Sequence, residues 1–165
     1  MLHRIFFKYY LYLQKKMQQK FNRSLPFMEL LISREKKAKL LNFGAGTTIH
    51  DSSHVYGNVK VGENTWIGPF TILDGSGGLT IGSNCSISAG VQIYSHDSVS
   101  WAVSGGKASY SYQEVIIEND CYIGPNSVIQ SGVIIKEGSV VGANSFVNKS
   151  FPPRSKIAGN PARLI

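Results

Sequence analysis

Cysteine is scarce in this chain, which has only two among its 165 residues. Neither Cys85 nor Cys121 has a second cysteine at C-x-x-C spacing, and two thiols do not make the disulfide framework of a small secreted domain. Both fall at the fifth position of a six-residue repeat, where a small residue is expected to point into the core. These absences favour a reducing compartment, and we expect a cytoplasmic protein.

Long apolar runs are also missing from the chain. The two apolar stretches near the N terminus are shorter than the ~20 residues of a membrane-spanning helix. Lysines interrupt the first stretch and no small-residue cleavage site follows it, so it does not resemble a secretory signal. At 165 residues, the chain is expected to have one core.

Acidic residues are few, with 10 Asp and Glu against 17 Lys and Arg. Residues 1–41 hold ten of the basic residues and two acidic ones, a balance of +8, whereas residues 42–165 hold seven and eight, a balance of −1. The excess positive charge therefore belongs to the N-terminal segment. No nucleic-acid-binding motif accompanies it, so no nucleic acid partner is expected.

The N-terminal segment, residues 1–41, has the three- and four-residue apolar spacing of an amphipathic helix. Pro26 ends this helix or restarts it, and a second short apolar run follows over residues 27–32. One interpretation is a cap that protects the open edge of the first coil of the domain that follows. The other is a basic helix in peripheral contact with anionic lipid at the inner face of the membrane. The two are compatible.

The rest of the chain is built on a six-residue repeat. Aliphatic or aromatic residues recur every six positions, apart from one step of eight between Leu73 and Ile81 and one long gap after Ile93. The repeated positions are Phe43, Ile49, Val55, Val61, Ile67, Leu73, Ile81, Ile87, Ile93, Ile117, Ile123, Ile129, Ile135, Val141 and Val147. A small or compact residue usually follows four positions later.

A period of six fits neither an α-helix nor an alternating strand, but it does fit a short strand followed by a turn. Three such units close a triangular coil of eighteen residues, and successive coils stack at roughly the 4.8 Å spacing of parallel strands. The sequence therefore predicts a parallel β-helix of about five coils. The step of eight predicts a local insertion of about two residues within residues 75–78.

The long gap predicts a loop over residues 97–114, thrown out from one corner of the β-helix. It contains Trp101, Lys107, Tyr110 and Tyr112 and is preceded by His96. Long loops on rigid scaffolds usually carry function.

The repeats Ile117–Val128 and the tail sequence Ala158–Arg163 resemble the hexapeptide-repeat acetyltransferases, with closest similarity to the sugar O-acetyltransferases of capsule and O-antigen biosynthesis. The resemblance covers roughly Phe43 to Ile165. It implies a left-handed β-helix over residues 42–165 with a C-terminal tail over residues 153–165. It also implies acetyl-CoA as co-substrate and a homotrimer with its sites between subunits.

His96 is the candidate general base, because the resemblance places a catalytic histidine at the root of the extended loop. Acetyl transfer to an alcohol requires removal of a hydroxyl proton, and imidazole, with an unperturbed pKa near ~6.5, can accept it and return it to the leaving thiolate. Asp97 is the candidate residue for orienting the imidazole, provided that the chain turns at this point.

The resemblance also implies a donor site for acetyl-CoA. The family pattern places contacts at the residue after an Ile-Gly pair, at an Ala after a later Gly, at a polar-Lys pair and at a basic tail residue. The matching positions are Pro125, Ala143, Asn148, Lys149 and Arg163. Pro125 departs from the commoner Ser of the family, and Lys149 and Arg163 are expected to pair with phosphates.

The acceptor is expected to be a sugar or glycan precursor. Loop residues Trp101, Lys107 and Tyr110 are the candidates for binding it, because aromatic faces stack on sugar rings. The alternative for these rings is packing of the loop against a neighbouring subunit.

Three alternatives to O-acetyl transfer remain at this point. One is N-acetylation of an amino-sugar or another small acceptor, and one is a non-catalytic scaffold. The third is a zinc-binding β-helix similar to carbonic anhydrases, which would recruit His50, His54 and His96. The spacing of these histidines does not suggest a three-ligand site, and we expect no metal. His50 and His54 are instead predicted to be surface residues in early turns.

Overall fold

The computed structural model describes residues 2–165 and shows three N-terminal helices followed by a coil of short strands. The helices are α1 (Leu2–Phe21), α2 (Phe27–Leu31) and α3 (Arg34–Leu40), with α4 (Val99–Val103) between β7 and β8. The strands are β1 (Thr48–Ile49), β2 (His54–Val61), β3 (Trp66–Ile67), β4 (Ile72–Ile81), β5 (Ser86–Ile87), β6 (Gln92–Ile93), β7 (His96–Asp97), β8 (Ser111–Tyr112), β9 (Val115–Ile117), β10 (Tyr122–Ile123), β11 (Val128–Ile129), β12 (Ile134–Ile135), β13 (Val140–Val141), β14 (Phe146–Val147), β15 (Lys156–Ala158) and β16 (Arg163–Leu164).

These strands form three walls around one core. Wall A stacks β1, β3, β5, β10, β13 and β15 in parallel, and β16 is added antiparallel. Wall B stacks the first parts of β2 and β4 with β6, β11 and β14, and wall C stacks the second parts of β2 and β4 with β9 and β12. With six, five and four rungs in the three walls, the predicted parallel β-helix of about five coils is confirmed.

The pairing register confirms the eighteen-residue coil. Tyr122 pairs with Val140, eighteen positions further along the chain. Ser86 pairs with Tyr122, thirty-six positions further along, because loop 97–114 takes the place of a whole coil. The predicted insertion is confirmed in the same way, since the offset between β2 and β4 rises from eighteen residues at Gly57 and Gly75 to twenty at Val59 and Leu79.

The repeated aliphatic side chains fill the core. Ile67, Ile87, Ile123 and Val141, which stack along wall A, are each fully buried. The small residues four positions after the aliphatic ones are buried as well, and they include Thr65, Cys85, Cys121, Ser127 and Ser145. Cys85 and Cys121 are free thiols in this core, as the repeat predicts.

Several corners of the coil are made by asparagine in a left-handed backbone conformation. Asn64, Asn84, Asn126 and Asn144 have φ values between 52° and 57°. Asparagine tolerates this conformation better than other residues with a side chain, because its amide can hydrogen-bond locally. The turn-forming residues of each hexad therefore set where one wall ends and the next begins.

Helices α2 and α3 close the first coil. The Glu29 carboxylate accepts hydrogen bonds from the backbone N–H and the hydroxyl of Ser52, at 3.1 Å and 2.9 Å. Lys37 donates its ammonium protons to the carbonyls of His50, Asp51 and Ser53 at 2.7–3.2 Å. These bonds hold the cap over the open edge of the sheet.

Helix α1 packs on α2 and has no buried residue. Gln14 donates a hydrogen bond to the carbonyl of Leu25 at 2.7 Å, and the Tyr10 and Phe27 rings meet edge to face at 6.0 Å. Over residues 2–165, no helix has the length and apolar character needed to cross a membrane.

Two adjacent valines test the inward and outward assignment of the hexad. Val141 is fully buried, whereas Val140 points outward and is 37% exposed. We expect Val141→Ala to lower the free energy of unfolding by about 2 kcal/mol, because it removes buried methyl groups and leaves a cavity. Val140→Ala removes the same atoms from the surface and should cost much less. Denaturant unfolding at one fixed protein concentration measures both, and equal losses would contradict the assignment.

Candidate active site

His96 stands at the root of the extended loop, where the chain leaves wall B. Here β7 pairs antiparallel with β8, so that His96 lies opposite Tyr112 and Asp97 opposite Ser111. The two ends of the loop are thereby tied together, and α4 gives the loop structure of its own. A loop fastened in this way can hold a side chain in one position.

The His96 imidazole forms a close pair with the carboxylate of Asp74. Its Nδ1 atom lies 2.5 Å from Asp74 Oδ2, and the Asp74 side chain is 3% exposed. Asp74 lies on β4, directly before the two-residue insertion. The same carboxylate also accepts hydrogen bonds from the Ser95 backbone N–H at 3.0 Å and from the backbone N–H and hydroxyl of Ser76.

These hydrogen bonds determine the charge of Asp74. Burial alone would raise the pKa of the carboxyl, but the bonds from Ser76, His96 and Ser95 outweigh it and lower the pKa to about 2. At neutral pH the group is therefore a carboxylate and cannot donate a proton. Nδ1 of His96 must be the donor of the short bond, and the lone pair of the neutral ring is then on Nε2.

Asp97 does not meet the imidazole in the way the sequence suggested. Its carboxylate accepts a hydrogen bond from the Val99 backbone N–H at 2.6 Å, at the start of α4. Asp97 thus shapes the beginning of the loop helix, and Asp74 takes the orienting position beside His96. The expected pairing fails because adjacent residues of a strand point to opposite faces.

Aromatic side chains surround the imidazole. The Tyr110 ring stacks on it at 6.4 Å between centroids, and the Tyr112 ring lies 6.2 Å from it. Trp101 meets Tyr110 edge to face at 5.5 Å. Lys107 is exposed on the same loop, where its backbone N–H donates to the Ser104 hydroxyl. The structure therefore places Tyr110 against His96 and Trp101 against Tyr110, and it adds Tyr112, which was not among the candidate site residues.

The candidate donor residues fall into two groups on the two edges of wall B. Pro125 and Ala143 stack at the corner between walls A and B, where Gly124 approaches the backbone so closely that a Cβ would lie 2.6 Å from the Ala143 amide nitrogen. Arg163 pairs with Ala158 at the next level of this corner. All three residues are at least partly exposed.

Asn148 and Lys149 lie at the opposite corner, between walls B and C. They directly follow β14 in wall B. The segment that leads to His96 follows β6 in the same way, and β6 lies two rungs away from β14 in this wall. Both are exposed, and the Lys149 ammonium lies 5.4 Å from the centroid of the Phe151 ring. One chain therefore brings this pair to the corner of His96, but leaves Pro125 and Ala143 at the other edge of the wall.

The remaining histidines have separate surroundings. The prediction that His50 is a surface residue is wrong, because it is buried under the cap with Nδ1 3.1 Å from Glu29 Oε2. Burial and the nearby Arg34 lower the pKa of His50. His54 is exposed, as expected. Within residues 2–165, no three His, Cys, Asp or Glu side chains are grouped so as to hold a metal ion.

Because the pKa of Asp74 is lowered, we expect the protein to lose stability in acid. Because the folded-state pKa of about 2 lies below the ordinary 3.8, the charged group stabilises the fold above pH ~4, and this contribution is lost as the pH falls towards ~2. The difference in unfolding free energy between the parent and Asp74→Asn should shrink by about 2 kcal/mol over that range. Denaturant unfolding at several pH values measures it, and a difference that does not change with pH would contradict the assignment.

Two family models match the repeats. The bacterial transferase hexapeptide model (six repeats) matches residues 114–149, and the hexapeptide repeat of succinyl-transferase matches residues 58–95. The two matches lie on either side of loop 97–114. They cover both parts of the coil, including Asp74, and leave out His96 and loop residues 97–113.

Curated relatives are similar over 71–75% of this chain. Galactoside O-acetyltransferase of Escherichia coli (strain K12) is 32% identical over 74% of this chain and 56% of its own length. The carnitine operon protein CaiE of Proteus sp. (strain LE138) is 32% identical over 71% of this chain and 62% of its own. The putative lipopolysaccharide biosynthesis O-acetyl transferase WbbJ of E. coli (strain K12) is 29% identical over 75% and 68%. The chain thus spans about three fifths of the length of the first relatives that it matches.

Solved structures share the fold. A mutant of AntD, an N-acyltransferase from Bacillus cereus in complex with dTDP and coenzyme A, superposes with a TM-score of 0.68 at 24% identity, covering 81% of this chain and 88% of its own. The polySia-specific acetyltransferase NeuO superposes with a TM-score of 0.52 at 26% identity, covering 72% and 60%. The chain therefore contains hexapeptide repeats of the kind described for bacterial transferases, and it is similar in sequence and fold to the acetyltransferases and acyltransferases named above.

Proposed function

We propose that this protein is an acetyl-CoA-dependent O-acetyltransferase that moves an acetyl group onto a hydroxyl of a sugar or glycan precursor. The observation that carries the proposal is the His96 and Asp74 pair at the root of an aromatic loop. The O-acetyltransferases among the relatives support the reaction class. The proposed site of action is the cytoplasm.

His96 acts as the general base in this scheme. Asp74 holds Nδ1–H, so that Nε2 accepts the proton of the acceptor hydroxyl as its oxygen attacks the thioester carbonyl. The ring becomes a cation, and the Asp74 carboxylate beside it stabilises that charge. When the carbon–sulfur bond breaks, Nε2–H returns the proton to the leaving thiolate. The proton balance closes, and the products are an acetyl ester and free coenzyme A.

The donor residues fit a long phosphorylated thioester. Lys149 and Arg163 are exposed, and neither makes a salt bridge to another of residues 2–165, so both cations are free to pair with phosphate groups. Pro125 and Ala143 offer a corner without long side chains, against which a pantetheine arm can lie. Asn148 adds an exposed amide beside Lys149.

The separation of the donor residues supports a site between subunits. Pro125, Ala143 and Arg163 lie at one edge of wall B, while Asn148, Lys149 and His96 lie at the other. A ligand lying in one groove along the coil would meet both groups where two copies of the chain place these unlike corners side by side. A homotrimer of these three-sided coils brings unlike corners together.

The loop is the proposed acceptor site. Tyr110 lies next to the base and Trp101 lies against Tyr110, and aromatic faces stack on sugar rings. Lys107 offers a charge to an acidic group on the acceptor. The alternative, N-acetylation of an amino-sugar, uses the same base and donor site, so a panel of acceptors with hydroxyl and amino groups decides between the two.

Thiol release from acetyl-CoA with such a panel tests the base. His96→Ala should lower kcat by about 10²–10⁴, the usual contribution of general base catalysis. Asp74→Asn, which keeps the shape but not the charge, should lower it by about tenfold or more. The exposed His54 provides the matched control, since His54→Ala should leave the rate unchanged. Near-parent turnover in His96→Ala would overturn the proposed role.

Substrate saturation tests the donor site separately. Lys149→Ala and Arg163→Ala should each raise KM for acetyl-CoA by about tenfold, because each removes a charge-assisted hydrogen bond to phosphate, while kcat changes little. Lys136→Ala removes an equally exposed charge away from these corners and serves as the control. An equal change in all three variants would show that net charge, and not these positions, matters.

A further inference from the structure

Helix α1 presents a stripe of apolar side chains that remain largely exposed in the part of the chain described, residues 2–165. Leu2, Ile5, Tyr9 and Tyr12 follow one another at steps of three and four residues, which places them along one line of the helix. Each is between 48% and 69% exposed, and the Tyr9 and Tyr12 rings stack on each other at 6.4 Å. We call these four residues the α1 stripe.

The stripe is not the surface that attaches α1 to the rest of the protein. The half-buried residues of the helix are Tyr10, Leu13, Gln14 and Met17, and these form a different line that faces α2. Attachment therefore uses one face of α1 and leaves the α1 stripe free. The cap below α1 is in turn fastened to the first coil through Glu29 and Lys37.

The charges of α1 are all positive. The helix contains Arg4, Lys8, Lys15, Lys16 and Lys20 and no acidic residue. Lys16 and Lys20 continue the line of the stripe towards the C-terminal end, and Arg4, Lys8 and Lys15 run beside it. An apolar line flanked by cations, with tyrosines along it, is the pattern of a helix that lies in the plane of an anionic lipid surface.

We propose that α1 docks the protein on an anionic membrane surface, with the α1 stripe inserted among the lipids and the flanking lysines at the headgroups. A second copy of α1 is a poorer occupant, because pairing two such helices would bring ten cations together with no acidic side chain between them. The bulk of the coil would not contribute, since residues 42–165 carry a balance of −1. The proposal does not depend on the chemistry proposed for His96.

Sedimentation of the full chain with vesicles tests the proposal. The probe is a set of vesicles of phosphatidylcholine containing about a third phosphatidylglycerol, compared with vesicles of phosphatidylcholine alone. We expect binding to the anionic vesicles only, weakened by salt because screening shortens the reach of the lysines. No binding, or equal binding to both kinds of vesicle, would overturn the proposal.

Two pairs of variants locate the contact. Lys8→Gln with Lys15→Gln should weaken binding by about tenfold or more, since each lysine near an anionic surface contributes separately. Lys36→Gln with Lys39→Gln removes the same number of charges from exposed positions on α3 and should change binding much less. Equal losses in the two double variants would show attraction by net charge alone and would overturn docking through α1.

Two further variants test the apolar contribution of the α1 stripe. Ile5→Ser with Tyr9→Ser should abolish sedimentation with anionic vesicles, whereas Leu11→Ser, at an exposed α1 position outside the stripe, should not. Light scattering without lipid accompanies these measurements. If light scattering shows fewer subunits per particle for the double variant than for the parent, the α1 stripe packs against a second copy and the lipid proposal fails. Thiol release measured on the same samples reports catalysis separately from binding.

Discussion

Stacking of like residues on like residues is the constraint on which this fold depends. In a parallel coil, each inward side chain lies directly over its equivalent eighteen residues away, so a wrong residue at one rung disturbs two neighbours. Backbone hydrogen bonds between rungs are shared in the same way, with Gly124 N–H donating to the Val141 carbonyl and Gly142 N–H to that of Ile157. Regular spacing therefore gives a rigid column, and any change of spacing must be accommodated at its surface.

The candidate site lies where this spacing changes. Asp74 directly precedes the two-residue insertion on β4, and His96 directly precedes the loop that takes the place of a coil. Both irregularities occur at the corner between walls B and C, at levels that are neighbours through the pairing of β4 with β6. A carboxylate and an imidazole can meet there because neither has to fill the regular core, while the rungs above and below hold them in place.

Charged residues are unevenly divided between the N-terminal segment and the coil. The coil is close to neutral, and its exposed cations include Lys149 and Arg163 at two of the corners. The N-terminal segment carries the basic excess, with five basic residues on α1 and four on α3, and α2 and α3 form the cap over the first coil.

The local six-residue pattern of the sequence predicted much of this organisation. The hexads predicted the inward residues from Ile49 to Val147, the two-residue insertion and the loop, because the backbone period repeats with every rung. They could not predict the partner of His96, because Asp74 and His96 are twenty-two residues apart and meet only through an offset created by the insertion. Asp97 was the nearer carboxylate in sequence, but the strand turns it away.

His50 shows the same limit, since a turn histidine becomes buried only when α2 and α3 fold over the first coil. The sequence by itself determined the coil, its period and its interruptions, because these follow from residues within a few positions of one another. Only the tertiary structure decided which groups face each other across the coils and which side of α1 is left uncovered. Those contacts depend on how the separate rungs and helices are placed in space.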